Sequence, residues 1–212
     1  MQIRNQWKRK VGKIGDRGFT ILELLVCMAL IGLLAGIAWP RINIWIGAVR
    51  VRMAVGEVAG AMEQARLSSI KLQAKVALKF ETAQDGTVLM TQYKDMDRDG
   101  VLNRDIQRGV DRLHKSTRRL SNLDGRIHFG FPYGEAPTEI GNPYRRISRL
   151  MDPIRFNRSD LASFNPLGTA TPGTVYITDG YASLAAVRVD AYSGRISIWT
   201  YNRKIERWRV GG

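Results

Sequence analysis

The run FTILELLVCMALIGLLAGIAW, Phe19 to Trp39, constrains this chain more than any other feature, because Glu23 is its only charge. As a helix it extends roughly 32 Å, enough to cross the hydrocarbon core of a bilayer. A buried core helix is the first competing reading, but core helices are rarely this long and apolar on every side. A secretory signal is the second; its small-x-small cleavage site would have to be Gly36-Ile37-Ala38, a poor match after so long an apolar run. Residues 1–18 carry Arg4, Lys8, Arg9, Lys10, Lys13 and Arg17 against Asp16 alone. On the far side only Arg41, Arg50 and Arg52 follow soon. This asymmetry predicts a single span with a cytoplasmic N-terminus and the bulk of the chain outside.

Glu23 is the anomaly in that run. A carboxylate inside a spanning helix costs several kcal/mol unless it finds a partner or a wet edge, which makes it a functional candidate. Gly18 is a sterically open joint between the charged leader and the apolar run. Cleavage there would leave a new amine on Phe19, four residues from Glu23, and the two could pair between neighbouring subunits. The plainer reading places Glu23 in the headgroup zone. Composition leaves both open.

Beyond the span, Pro40 to Lys75 reads as a continuing amphipathic helix. Val51, Val55, Val58, Met62 and Ala65 recur at helical spacing, and Gly56 and Gly60 thin the surface nearby. That face suits either sister helices or the chain's own head. From Val76 the period changes to two. Strands are predicted at Val76–Glu81, Thr87–Tyr93, Arg126–Phe131 and Ile154–Phe156. A closing meander is predicted from Thr174–Asp179, Ala185–Ala191 and Arg195–Tyr201. Gln84-Asp85-Gly86 and Ser193-Gly194 supply tight turns, and Pro132 to Asn142 reads as a loop before the basic stretch Arg145–Arg149. The fold class is therefore α+β: a long N-terminal helix, membrane-spanning in its first half, packed on a β-rich antiparallel head. The divisions are 1–18, a basic leader that is removed; 19–40, the span; 41–75, the amphipathic continuation; and 76–212, the head. Roughly 135 head residues can enclose a real core.

Several activities lack the residues they need. Cys27 is the sole cysteine of the 212 residues, so this chain forms no internal disulfide. His114 and His128 cannot alone fill a multi-histidine metal centre. Ser, Asp and His occur in no spacing that nominates a triad, so no enzyme is predicted. One motif does carry metal chemistry. Asp95, Asp97, Asp99, Gly100 and Asn103 match the first nine places of a helix–loop–helix calcium loop, in which oxygens at alternate residues converge on a hard cation. The closing Glu is missing: Ile106 occupies its place, with Asp105 one residue early. The flanks are also not a pair of helices. Calcium held as a staple between strands, with Asp105 substituting, is one reading. A solvated acidic turn, partly neutralised by Lys94, Arg98 and Arg104, is the other.

The block Gly18-Phe19-Thr20-Ile21-Leu22-Glu23-Leu24-Leu25 resembles the processing and methylation signature of type IV pilins and type II secretion pseudopilins. The resemblance implies that a membrane-embedded prepilin peptidase cuts between Gly18 and Phe19 and that Phe19 is then N-methylated. It implies that Glu23 serves subunit registration, and that Pro40 occupies the family's helix-interrupting site. It also implies a bacterial inner-membrane location with the head periplasmic, followed by transfer to a filament. The implied partners are other major and minor pilins or pseudopilins, an inner-membrane assembly platform, membrane lipid and secreted cargo. The long helix, the β-rich head and the ending Ser193-Gly194-Arg195-Ile196-Ser197-Ile198-Trp199 resemble more weakly the minor-subunit branch that includes the H-type pseudopilin.

The formal net charge is +14, and two clusters concentrate part of it in the head: Arg112, Lys115, Arg118 and Arg119, and Arg203, Lys204, Arg207 and Arg209 beside Trp208. Related minor pilins can bind DNA during uptake, and such cations bind phosphate without sequence preference. Anionic lipid, surface polysaccharide or acidic neighbouring subunits would select the same charge. Trp208 is expected to cap the meander edge rather than stack on a base.

Overall fold

The computed structural model describes residues 19–83, 88–120, 127–134, 136–157 and 159–211. The leader 1–18, with Gly18, and the turn Gln84-Asp85-Gly86 lie outside them. The chain divides into two compact units, Met1–Arg41 and Ile42–Gly212.

Helix α1 (Ile21–Leu72) begins in the first unit. Thr20 caps it: its Oγ1 accepts the Glu23 N–H at 3.2 Å, and its carbonyl accepts the Leu24 N–H. Thr20-Ile21-Leu22-Glu23 thus has the spacing of a capping box, with a carboxylate in the positive first turn of the helix. Every described side chain from 19 to 39 is exposed, including Phe19, Ile31 and Leu34. Position 40 is helical although proline cannot donate the N–H that would bond the preceding turn.

In the second unit the same helix turns amphipathic. Val51, Ala54, Val55, Val58, Ala61, Met62 and Ala65 are all buried, at intervals of three and four that make one stripe. The stripe is alanine- and valine-rich because the helix must lie close against two sheets. Gly56 and Gly60 are exposed on the other side. The helix stops at Leu72, three residues before the expected Lys75, because Gln73 takes a left-handed φ of 49° and the Ala74 N–H bonds back to the Ser69 carbonyl.

The remaining elements are β1 (Val76–Thr82), β2 (Val88–Lys94), α2 (Asn103–Arg108), β3 (Arg112–Arg119), β4 (His128–Phe129), β5 (Thr138–Glu139) and β6 (Asn142–Arg146). They are followed by β7 (Ile154–Arg155), β8 (Leu161–Phe164), β9 (Gly173–Thr178), β10 (Leu184–Val189), β11 (Ile196–Asn202) and β12 (Arg207–Gly211). One antiparallel sheet runs β3-β2-β1-β8; a second runs β12-β11-β10-β9-β4, with β7 also paired to β9. The head is β-rich and antiparallel, and the fold class is α+β.

The helix stripe meets Leu78, Phe80 and Met90 of the first sheet and Val175, Ile177, Val187 and Val189 of the second in one core. Phe80 stacks on Phe156 at 6.0 Å and meets Phe129 edge-on at 5.8 Å. The second sheet is covered on both faces. Alternate residues Tyr176, Leu184 and Ala186 join a separate cluster with Trp199, Tyr201 and Trp208. This explains why four successive residues of β9, Val175 to Thr178, are buried.

The expected strands from Val76 to Tyr93 and the closing meander are present with small shifts of boundary. Of the described part of the stretch read as Arg126–Phe131, His128–Phe129 forms the paired strand; Arg126 lies outside the described residues. The stretch from Pro132 to Asn142, read as loop, contains β5. Strands β3, β6, β8 and β12 and helix α2 are not among the expected elements. β3 (RLHKSTRR) presents almost no buried residue, and β8 is four residues long, so neither shows a clear period.

Candidate functional site

Three groups of candidate functional residues are legible in the chain. The first is the helix start. Phe19 is exposed just ahead of α1, and Glu23 lies in its first turn, so the short link from Phe19 to Glu23 is held in a defined geometry by the Thr20 cap. Glu23 is the sole acidic group in an otherwise apolar exposed stretch.

The second is the connection between β2 and β3. Asp95, Asp97 and Asp99 each bring a carboxylate oxygen within 4.8 Å of the others. Asp95 is buried; its Oδ1 accepts the Arg98 N–H at 2.7 Å and its Oδ2 the Gly100 N–H at 3.0 Å. Gly100 has φ 110°, a conformation costly to any side-chain-bearing residue, and this turn folds the loop around Asp95. The flanks are a strand and a short helix, as expected for a departure from helix–loop–helix. Asp105, proposed as the closing ligand, is buried in α2 and bonded to the Arg104 guanidinium at 3.1 Å. Arg104 also holds Asp99 at 3.0 Å.

A residue that sequence reasoning missed stands at this loop. Gly109, in the left-handed region at φ 73°, ends α2 and returns the chain so that Asp111 directly precedes β3. Arg112 of β3 pairs with Lys94 of β2, so Asp111 and Asp95 flank the same rung of an antiparallel pair. Asp111 is 3% exposed; its Oδ2 accepts the Leu102 N–H at 3.0 Å. Its Oδ1 is buried without a hydrogen-bond partner, as is Oδ1 of Asn103.

The charges interact as this crowding requires. Desolvation, then the charges of Asp95 and Asp97, push the Asp111 carboxyl above its ordinary range, against the N–H groups of Leu102 and Met96. Asp99 also moves up, through desolvation, hydrogen-bond sharing with Asp97 and repulsion from Asp97 and Asp105; Arg104 opposes the shift. Asp97 moves down: desolvation resists its ionisation, but hydrogen bonds from Asp99 and with Asp95 outweigh it.

The third group is the basic surface. Arg112, Lys115, Arg118 and Arg119 all lie on β3, the edge strand of the first sheet. Arg203, Lys204, Arg207 and Arg209 lie on the β11–β12 hairpin at an edge of the second sheet. They belong to different sheets, and charge on exposed edges also guards them against pairing with other chains. Arg203 donates to the carbonyls of Tyr181 and Tyr133. Trp208 packs on Tyr201 and Tyr176, with ring centres 5.1 and 5.8 Å away, and donates Nε1–H to the Thr138 carbonyl at 2.6 Å. Its ring is built into the sheet, as the edge-capping reading expected. The stretch Arg145–Arg149 is partly consumed internally: Arg145 pairs with Glu139 and Arg146 grips both oxygens of Glu206.

The family match falls on the first group. Residues 15–39 match the family described as Prokaryotic N-terminal methylation motif. Two proteins named Fimbrial protein, both from Pseudomonas aeruginosa, are each 38% identical over 78 residues. That stretch is 37% of this chain, and it spans 46% of each relative's length. No solved structure matches the chain. The matched motif runs into an apolar helix that is long enough to cross a membrane. Over residues 15–39 this chain is thus similar to the N-terminal methylation motif family, over 78 residues it is similar to two fimbrial proteins, and its element order is a long apolar helix followed by antiparallel strands.

Proposed function

We propose that this protein is a minor pilin or pseudopilin that starts assembly and sits at or near the tip of a short filament. The observation that carries this is Glu23: a lone carboxylate in the first turn of an exposed apolar helix, directly behind the Gly18-Phe19 joint. In this reading the chain is inserted in the inner membrane with its N-terminus cytoplasmic and its head periplasmic. Prepilin peptidase cuts after Gly18, Phe19 is methylated, and the Phe19 amine of one subunit pairs with Glu23 of another. A desolvated ion pair of that kind is worth far more in lipid than in water, which gives it the strength to set register. The head then presents its surface to other minor subunits or cargo. The protein catalyses nothing.

The test is Glu23→Ala in cells that assemble the filament. Membrane insertion and cleavage are expected to persist, while the protein disappears from the sheared filament fraction. Normal incorporation of the variant overturns the registration role. Mass spectrometry of the N-terminal peptide, expected to begin at methylated Phe19, checks the processing independently.

A DNA receptor in uptake is the second reading, supported by the exposed cations of β3 and the β11–β12 hairpin. Full-length protein in detergent, titrated with double-stranded DNA across a salt series, separates the two. The expectation is weak, steeply salt-dependent binding. Tight binding at physiological salt that is lost when Arg203, Lys204, Arg207 and Arg209 are neutralised would favour the receptor.

A further inference from the structure

We propose that Asp95, Asp97, Asp99, Asn103 and Asp111 form a site for one calcium ion that closes the β2–β3 connection, with Asp111 in place of the missing closing glutamate. The alternate carboxylates alone would not carry this, since acidic turns are common without a cation. The decisive residue is Asp111. It is 3% exposed, and one of its oxygens is buried with no partner. A protein interior leaves a carboxylate oxygen so placed at a cost of kcal/mol unless something cationic meets it.

The backbone sets Asp111 against the loop. Asp111 receives the Leu102 N–H from within the loop, and the Arg112–Lys94 pairing sets it beside Asp95 at the mouth of the β2–β3 pair. The second orphan, Asn103 Oδ1, stands at the ninth loop place, whose oxygen serves the cation in a loop of this kind. Four carboxylates therefore gather around one connection, and Arg104, itself well exposed, reaches only Asp99 among them. Two buried oxygens without donors beside three converging carboxylates are met together by a single hard cation.

The ligand set favours calcium over magnesium. Calcium accepts six to eight oxygens in a tolerant geometry, whereas magnesium demands a tight octahedron and keeps its water. Here the oxygens come from the two ends of a long connection, one of them delivered by a strand that begins only after α2. The bound ion joins those ends, so binding couples to the β2–β3 pairing and stiffens the head.

The experiment is calorimetric titration of the full-length protein in detergent, stripped with chelator, using calcium chloride and, separately, magnesium chloride. Thermal melts accompany each titration. One calcium per chain is expected, with Kd below about 1 mM, as in extracellular calcium modules, and a raised Tm. Asp97 is exposed, so Asp97→Asn is expected to melt like the parent without metal yet bind calcium at least about tenfold more weakly. Asp111→Asn keeps an acceptor for the Leu102 N–H and is expected to lose affinity and the calcium-induced rise in Tm. No heat and no Tm shift with calcium in the parent overturns the site. Unchanged affinity in Asp97→Asn does the same, even if Asp111→Asn fails to fold. A folded Asp111→Asn that binds like the parent overturns the part given to Asp111.

Discussion

The two halves of α1 are both helical and both apolar, yet they satisfy their side chains in opposite ways. From 19 to 39 the apolar residues surround the helix and every described one is exposed. From 51 to 65 they gather into a stripe, and each member is buried against the sheets. A helix apolar on all sides needs a solvent that is itself apolar, and a bilayer supplies one without any shape requirement. A striped helix needs a partner surface of matching contour. The difference teaches that the first half is specified by composition, while the second is specified by volume at each position.

The most direct attempt to break this comparison is a pair of truncations. Met62→Ala empties a fully buried position and is expected to cost about 2–5 kcal/mol of head stability. Leu30→Ala removes an equally apolar side chain from the first half and is expected to leave the head's denaturation midpoint unchanged. Tryptophan fluorescence in a urea series, in detergent, reads both. Equal losses would mean that the two halves are not specified differently.

Gly173→Ala comes next. A Cβ there would strike the Phe156 ring and the Arg155 carbonyl, and backbone cannot yield as a side-chain tip can. Overpacking of this kind is expected to cost about 1–3 kcal/mol, read in the same assay. A neutral result would show that the core facing the helix stripe tolerates looser shape than argued.

Trp208→Phe tests the far face of the second sheet. It keeps most of the ring packing but leaves the Thr138 carbonyl without its donor, at an expected cost of about 0.5–1.5 kcal/mol. The smallest effect belongs to the charged edge. Desolvation, then Lys115, Lys94 and Lys71, holds His114 below its usual 6.5. The folded protein therefore binds fewer protons there than the unfolded chain, so stability falls as pH drops through 6.5 and levels off below the folded value. His114→Asn is expected to flatten that slope in urea midpoints measured between about pH 5 and pH 8.

How much was legible follows the range of each interaction. The apolar run and the Gly18–Leu25 block are contiguous, so their chemistry is readable from neighbours alone. The meander strands Gly173–Thr178, Leu184–Val189 and Ile196–Asn202 alternate over short turns and were found on that pattern. β3 was read only as a basic cluster, because an exposed edge strand carries no buried face to betray it. The Thr20 cap was legible as a capping box at Thr20–Glu23 but was passed over for the functional reading of Glu23.

The acidic loop divides most sharply. Its first nine places are set by local spacing, and Asp105 was the natural substitute because it lies nearest in sequence. The fold pairs Asp105 with Arg104 and brings Asp111 beside Asp95 through the turn at Gly109 and the β2–β3 register. The sequence by itself determined the apolar run, the resemblance carried by the Gly18–Leu25 block and the change from helical to alternating period, since each depends on residues within a few places of one another. Tertiary structure alone decided which helix face is buried, on which strands the two basic clusters lie and which distant carboxylate is brought beside Asp95. Those depend on strands pairing across long stretches of chain, and no local pattern records the partner.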